Sequence, residues 1–104
     1  MSMIANASSN QLLVIGAGGH ARVVIDVARA AGYDPVAALD PASVGSMCNG
    51  VEVIGGDDLA DSMFAKGLGQ AVVAIGDNAL RSRIGKRLRD IGFTLPLIVH
   101  PSAI

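Results

Sequence analysis

Short apolar runs recur along this chain at intervals that suit buried strands. Each is four or five residues long and is bounded by glycine, proline or polar residues. They predict strands at Gln11–Ile15, Val36–Leu39, Ala71–Ile75 and Pro96–Val99, with Val51–Ile54 as a further short extended piece. None approaches the roughly 20 apolar residues that span a bilayer.

Helical periodicity fills the intervals between these strands. Apolar residues three and four positions apart predict helices over His20–Ala31 and Ala79–Ile91, ended by Gly32 and Gly92. A shorter helix is predicted over Leu59–Lys66, with Asp57 or Asp58 as its cap. The segment 42–50 is predicted to be a loop.

Strands that alternate with helices predict a parallel sheet with helices on both faces. The fold class is therefore α/β, a Rossmann-like three-layer domain with four or slightly more parallel strands. The length of 104 residues fits one domain. The composition is 51% hydrophobic but only 3% aromatic, so Val, Ile, Leu and Ala must fill the core.

Charge and cysteine content exclude several classes of function. The net charge of −1 gives no field that would attract nucleic acid or a membrane surface. The single cysteine, Cys48, cannot form an internal disulfide, and with two histidines it is too little for a zinc site. A free thiol, with no signal peptide in residues 1–10, indicates the cytoplasm. Cys48 is expected to be an inert packed or loop residue.

The strongest motif is Gly16-Ala17-Gly18-Gly19-His20-Ala21, which fits G-x-G-x-x-G/A. It directly follows a predicted strand and opens a predicted helix, the context in which the motif has meaning. Glycines allow a tight turn and close approach of a ligand, and the helix N-terminus favours an anion. We therefore expect Gly16, Gly18, Gly19 and His20 to bind a phosphate. A side chain at Gly18 should obstruct that phosphate and strain the turn.

Other candidate residues follow the ends of two further strands. Asp40 lies 24 residues after Gly16, where dinucleotide folds place an acid that bonds the ribose. Gly76 would allow ligand approach, while Asp77 or Asn78 would cap the next helix. Arg81, in the first turn of that helix, is a candidate phosphate ligand. Each candidate also has an alternative without a ligand. The glycine motif could be only a tight turn, Asp40 only the end of a strand, and Arg81 only part of a solvent-exposed helix face.

No catalytic apparatus is evident in the residues. There is no Ser-His-Asp or Cys-His arrangement, no paired carboxylates and no metal-binding cluster. The sequence thus predicts a binding site for a nucleotide or nucleotide sugar. The alternative is an NAD(P)-binding module of a dehydrogenase or redox sensor, although a second mononucleotide half is missing. A third hypothesis is an interaction module in which the glycine turn binds no ligand.

Four segments together resemble the N-terminal domain of the sialic-acid O-acetyltransferase (NeuD) and bacillosamine N-acetyltransferase (PglD) family. They are LLVIGAGGHARVVIDVARAAGY, ALD, VVAIGDNALRSRI and IVHPSAI, spanning 12–104. The resemblance implies a domain that binds a UDP-type sugar nucleotide. It implies Gly18, Gly19 and His20 at the phosphate, Asp40 at the nucleotide or sugar, and Gly76 on the opposite wall.

The same resemblance implies a second half, which is not expected within these 104 residues. Family members carry a C-terminal left-handed β-helix of hexapeptide repeats, which forms a homotrimer, binds acetyl-CoA and supplies the catalytic histidine. The implied organisation is a flexible leader at 1–10, the sugar-nucleotide domain at 11–99 and the start of the β-helix at 100–104. The expectation is a fragment that binds no cofactor, transfers no acetyl group, and is a monomer or weak oligomer.

Overall fold

The computed structural model describes residues 10–98. The strands are β1 (Gln11–Ile15), β2 (Asp34–Leu39), β3 (Met47–Cys48), β4 (Val51–Gly55) and β5 (Ala71–Val73). The helices are α1 (Gly19–Ala30), α2 (Ala60–Ala65) and α3 (Asn78–Ile91), with a 3₁₀ turn at Asp57–Leu59 before α2. Residues 1–9 of the predicted leader, Val99 and the residues at 100–104 lie outside the described residues. Asn10, the last residue of the predicted leader, is described, and its side-chain nitrogen donates to the Gly32 carbonyl at 3.0 Å.

The strands form one five-stranded sheet in the order β3-β4-β2-β1-β5. β1 pairs in parallel with β2 on one side and with β5 on the other, and β4 continues the parallel sheet beyond β2. Only β3 is antiparallel, against β4. The α/β class and the predicted parallel pairing of β1 with β5 are thus confirmed, with one more strand than four. The chain switches sides of the sheet at β1, so the ends of β1 and β5 flank an open crevice.

Two apolar clusters, one on each face of the sheet, hold the layers together. Alternate residues of β1 point to opposite faces, as strand geometry requires. Leu13 and Ile15 pack with Leu88 of α3 and Ala60 of α2. On the other face Val14 packs against α1, and Cys48 belongs to this second cluster with 1% of its surface exposed. Cys48 is therefore a packed core residue, as expected.

Within residues 10–98, no helix is long and apolar enough to span a membrane.

The predicted strand at the end of the chain is wrong in its described part. Pro96 to Ile98 have no strand assignment, and 88% of the Leu97 surface is exposed. Among residues 10–98, the bridge that lies nearest to this segment is an isolated parallel one between Gln70 and Thr94, two residues before Pro96. Pro96 carries no N–H, so it cannot donate to a ladder beside β5. The fourth parallel strand is β4 instead, at the extended piece predicted over Val51–Ile54.

Two further boundaries differ from the sequence-based expectation. Neither Asp57 nor Asp58 caps the short helix. The N-cap of α2 is Leu59 and that of the preceding 3₁₀ turn is Gly56, and neither has a side-chain hydrogen bond. β2 begins before Pro35, although proline is disfavoured inside a sheet. The β1–β2 register shifts next to the Leu12–Pro35 pair, and β4 pairs only further along β2, so the missing N–H of Pro35 breaks no regular ladder.

The segment predicted as a loop contains a hairpin between β3 and β4. Its turn is Asn49-Gly50, with φ of 50° and 82°, the positive values that a tight hairpin turn needs. The Asn49 side-chain nitrogen donates to the Arg22 carbonyl and to the Asp26 carboxylate, both at 2.9 Å. Its oxygen accepts from Arg29 at 3.3 Å. Asn49 therefore fastens the hairpin to α1.

We expect Asn49→Ala to lower the free energy of unfolding by about 1–2 kcal/mol, because alanine loses these hydrogen bonds and tolerates the positive φ poorly. Asn49→Gly keeps the backbone freedom and loses only the hydrogen bonds, so its cost should be smaller. Urea unfolding of both variants checks this. Equal destabilisation by glycine and alanine would contradict the conformational part of the argument.

Candidate functional site

The crevice lies where β1, β2, β4 and β5 end, at the edge of the sheet where their following loops separate. Its volume is about 400 Å³. One wall is the turn Gly16–His20, the second is the end of β2 with Asp40 and Asp57, and the third is Ala74–Gly76 with Leu80 and Ile84 of α3. Of the seven residues predicted from sequence for the site, the structure brings six together here: Gly16, Gly18, Gly19, His20, Asp40 and Gly76.

Gly16 is the residue that makes the turn possible. Its φ is +110°, and a Cβ placed there would lie 2.7 Å from the carbonyl oxygen of Ala74. Its N–H donates to the Leu39 carbonyl at 2.8 Å, so the chain leaves the sheet directly after a regular ladder bond. Glycine is needed here for both conformation and close packing.

The backbone strain predicted for Gly18 is not found in the structure. Gly18 has φ of −88° and ψ of −163°, extended backbone that any residue adopts. A Cβ on either glycine would meet nothing within 4 Å. The expected strain at Gly18 is therefore wrong, and it belongs to Gly16. Because neither Gly18 nor Gly19 has a side chain, the N-terminus of α1 is unobstructed on the side that faces the crevice.

The N-terminus of α1 is uncapped, in contrast to that of α3. The N-cap of α1 is Gly18, with no side-chain hydrogen bond and no acidic residue in the first turn. In α3 the Asp77 carboxylate accepts from the Leu80 N–H at 2.9 Å, which confirms the predicted cap. The first N–H groups of a helix have no intrahelical partner, so those of α1 face the crevice as free donors.

Asp40 joins the glycine turn to the end of β2. Its Oδ2 accepts from the Ala17 N–H at 3.0 Å, and its Oδ1 accepts from the Ala42 N–H at 3.0 Å. Asp40 is partly buried and lines the crevice. The carboxylate thus already has a backbone partner on each oxygen.

Arg81 is placed outside the crevice. Its guanidinium donates to the Asn78 side chain, and the residue lines a separate groove of about 390 Å³ with Arg89 and Leu95. Leu80 and Ile84 are the α3 residues that face the crevice, and Arg81, about 100° further round the helix, points elsewhere.

The crevice holds residues that the sequence did not assign to the site. Asp57 was considered only as a helix cap, and Leu80 and Ile84 were not named as site residues. Asp57 follows β4, and the parallel alignment of β4 with β2 would have placed it at this edge. The crevice lining contains the carboxylates of Asp40 and Asp57 and the exposed imidazole of His20, but no lysine or arginine.

The geometry supports binding of an anion by backbone groups. Among the residues described, no group of histidine, cysteine and acidic side chains could hold a metal ion. Buried side-chain nitrogens and oxygens in this part of the chain all have partners. An anion here would be held by N–H groups and the helix dipole, with carboxylates nearby that can accept from hydroxyl or ring N–H groups.

Comparison with solved structures identifies similar proteins. A mutant of perosamine N-acetyltransferase from Caulobacter crescentus, in complex with CoA and GDP-perosamine, is 40% identical, with a TM-score of 0.85 over 91% of this chain and 45% of that one. The acetyltransferase domain of PglB from Neisseria gonorrhoeae, in complex with acetyl coenzyme A, is 39% identical, with a TM-score of 0.79 over 90% of this chain and 45% of that one. This chain therefore spans less than half the length of these proteins.

Curated proteins gave no match. A family model does match, over residues 11–88, and it is the PglD N-terminal domain. That range contains the whole crevice, including the glycine turn, Asp40 and Gly76. By sequence and by fold, this chain belongs to the PglD N-terminal domain family.

Proposed function

We propose that this chain is the nucleotide-sugar-binding domain of an acetyl-CoA-dependent sugar N- or O-acyltransferase of bacterial glycan biosynthesis. The observation that carries the proposal is the uncapped start of α1, which presents free N–H groups to the crevice at the switch point of the sheet. The similarity to an acetyltransferase that binds GDP-perosamine supports it. The ligand is a nucleoside diphosphate sugar.

The diphosphate lies over Gly18–His20, where the N–H groups and the helix dipole favour negative charge. His20, exposed in the first turn of α1, donates a hydrogen bond to the phosphate. The nucleoside or sugar extends toward Asp57 and Gly76, along the apolar wall formed by Leu80 and Ile84. This arrangement needs no lysine or arginine in the crevice.

Acetyl transfer is assigned to the rest of a longer protein. None of the residues described here is assigned to acetyl-CoA, because the crevice at the glycine turn is assigned to the nucleotide sugar. When bound elsewhere in such a protein, acetyl-CoA supplies the activated acetyl group. We expect this longer protein to be a cytoplasmic homotrimer with a hexapeptide-repeat half, and the 104-residue chain alone to be inactive.

Calorimetric titration tests the proposal with a panel of ligands. The panel contains UDP- and GDP-linked sugars, a CMP-sugar, NAD and acetyl-CoA. The GDP form is included because a relative binds GDP-perosamine, and the UDP form because the sequence resemblance implies it. We expect a nucleoside diphosphate sugar to bind and NAD not to bind. Binding of NAD with no response to any sugar nucleotide would favour the dinucleotide module instead.

His20→Ala is expected to weaken binding of the nucleotide sugar about tenfold or more without removing it. Loss of one hydrogen bond to a charged phosphate costs about 1.5–3 kcal/mol, while the N–H groups of the helix end remain. Arg22→Ala, an exposed change about 200° round the same helix, serves as the matched control. Titration of both variants with the nucleotide sugar tests this prediction. Equal affinities of His20→Ala and Arg22→Ala would show that His20 does not contact the ligand.

A further inference from the structure

We infer that Asp40 is a positioning residue, which holds the glycine turn in the shape that binds phosphate instead of contacting the ribose or sugar. The inference rests on the proposed function for its effect on ligands. Its structural part concerns two hydrogen bonds and can be tested without any ligand.

Asp40 is fixed to the sheet at every polar group. Its N–H donates to the Gly55 carbonyl at 2.8 Å, and its carbonyl accepts from the Ser43 N–H at 3.1 Å. Its carboxylate accepts from Ala17 and from Ala42, one on each oxygen. The backbone of Asp40 is held at two points and its carboxylate at two more, so the side chain has little freedom to follow a ligand.

The Ala17 N–H explains why a carboxylate is placed here. The preceding N–H, that of Gly16, still donates to the Leu39 carbonyl of β2. At Gly16 the positive φ turns the chain out of the sheet, so the next N–H has no ladder partner. An unpaired donor in a partly buried position is costly. The Asp40 carboxylate satisfies it and thereby fixes the direction in which Gly18 and α1 continue.

A positioning role and a ribose contact predict different losses. If Asp40 orients the turn, its removal weakens every ligand that uses the turn, including one without ribose. If Asp40 bonds the ribose, only ligands that contain ribose lose affinity. Inorganic pyrophosphate, GDP or UDP, and the corresponding nucleotide sugar separate the two roles.

We expect Asp40→Ala to weaken binding of pyrophosphate, the nucleoside diphosphate and the nucleotide sugar by a common factor of about ten or more. Asp40→Asn keeps one acceptor oxygen, so it should recover part of the affinity for all three. Asp34→Ala, an exposed carboxylate at the opposite end of the same strand, should change none of them. Undiminished binding of pyrophosphate, with a loss confined to ribose-containing ligands, would overturn the inference.

Amide hydrogen exchange on the ligand-free chain provides the second readout. Asp40→Ala should accelerate exchange at Ala17 and Ala42 while the amides of β1 and β5 keep their protection. A purely global loss of stability would instead accelerate exchange throughout the sheet. Unchanged exchange at Ala17 in Asp40→Ala would overturn the inference, even if no ligand of the panel binds and the proposed function itself fails.

Discussion

Gly16→Ala is expected to lower the free energy of unfolding by about 2–6 kcal/mol. The positive φ of +110° and a Cβ 2.7 Å from the Ala74 carbonyl oxygen are separate penalties. Backbone strain and overpacking each cost about 1–3 kcal/mol. Because the whole stability of a small domain is about 5–15 kcal/mol, this one methyl group should remove much of it. Urea or thermal unfolding followed by circular dichroism measures the change.

Gly18→Ala is the matched control, two residues further along the same turn. Its φ of −88° suits alanine, and the added Cβ meets nothing within 4 Å. The cost should stay below about 1 kcal/mol, the difference between glycine and alanine at an N-cap. If the two variants unfold at the same denaturant concentration, the division of roles between Gly16 and Gly18 is wrong.

Gly18→Asp should stabilise the fold and abolish binding of the nucleotide sugar. An aspartate at the N-cap of α1 accepts from the free N–H groups of the first turn and complements the helix dipole. The cap gains a few tenths of a kcal/mol over glycine, and the dipole adds about 0.3–1 kcal/mol. The same carboxylate occupies the donors that the phosphate needs and repels its charge. We expect affinity to fall at least 100-fold, or about 2.7 kcal/mol.

Gly18→Asp is informative because it should raise the free energy of unfolding while it lowers the affinity for the nucleotide sugar. A variant that loses binding because it is misfolded would unfold more easily, whereas Gly18→Asp should unfold less easily than the wild type. Gly18→Ala adds neither charge nor acceptor, so it should keep most of the affinity. Tight binding by Gly18→Asp, with its cap formed, would place the phosphate away from α1.

Hydrophobic pattern predicts most of the fold because buried strands and amphipathic helices leave distinct periodicities. The pattern fails at Pro96–Ile98, where a short apolar run beside an edge strand looks like a buried strand. Among the described residues, the pairing with that edge is at Thr94, before the run begins. The Met47–Cys48 strand is too short for any periodicity. The Asn49-Gly50 pair was the available signal, since this dipeptide favours a tight hairpin turn.

The site was predictable wherever it depends on strand ends. Gly16, Asp40 and Gly76 follow parallel strands, so the fold class alone brings them to one edge. Asp57 was missed because β4 was not counted among the parallel strands. Arg81 lies outside the crevice because helix phase decides which side chains face it, and Leu80 occupies that phase. The roles of Gly16 and Gly18 depend on backbone angles, which the motif does not specify.

The most direct test of the account is to map where a nucleoside diphosphate sugar binds. Titration of ¹⁵N-labelled chain with a GDP- or UDP-linked sugar, followed by amide chemical shifts, locates the diphosphate. The account predicts the largest shifts at Gly18, Gly19 and His20, with smaller ones at Gly76 and Asp57. Shifts confined to the groove of Arg81, Arg89 and Leu95, with the glycine turn unmoved, would contradict it.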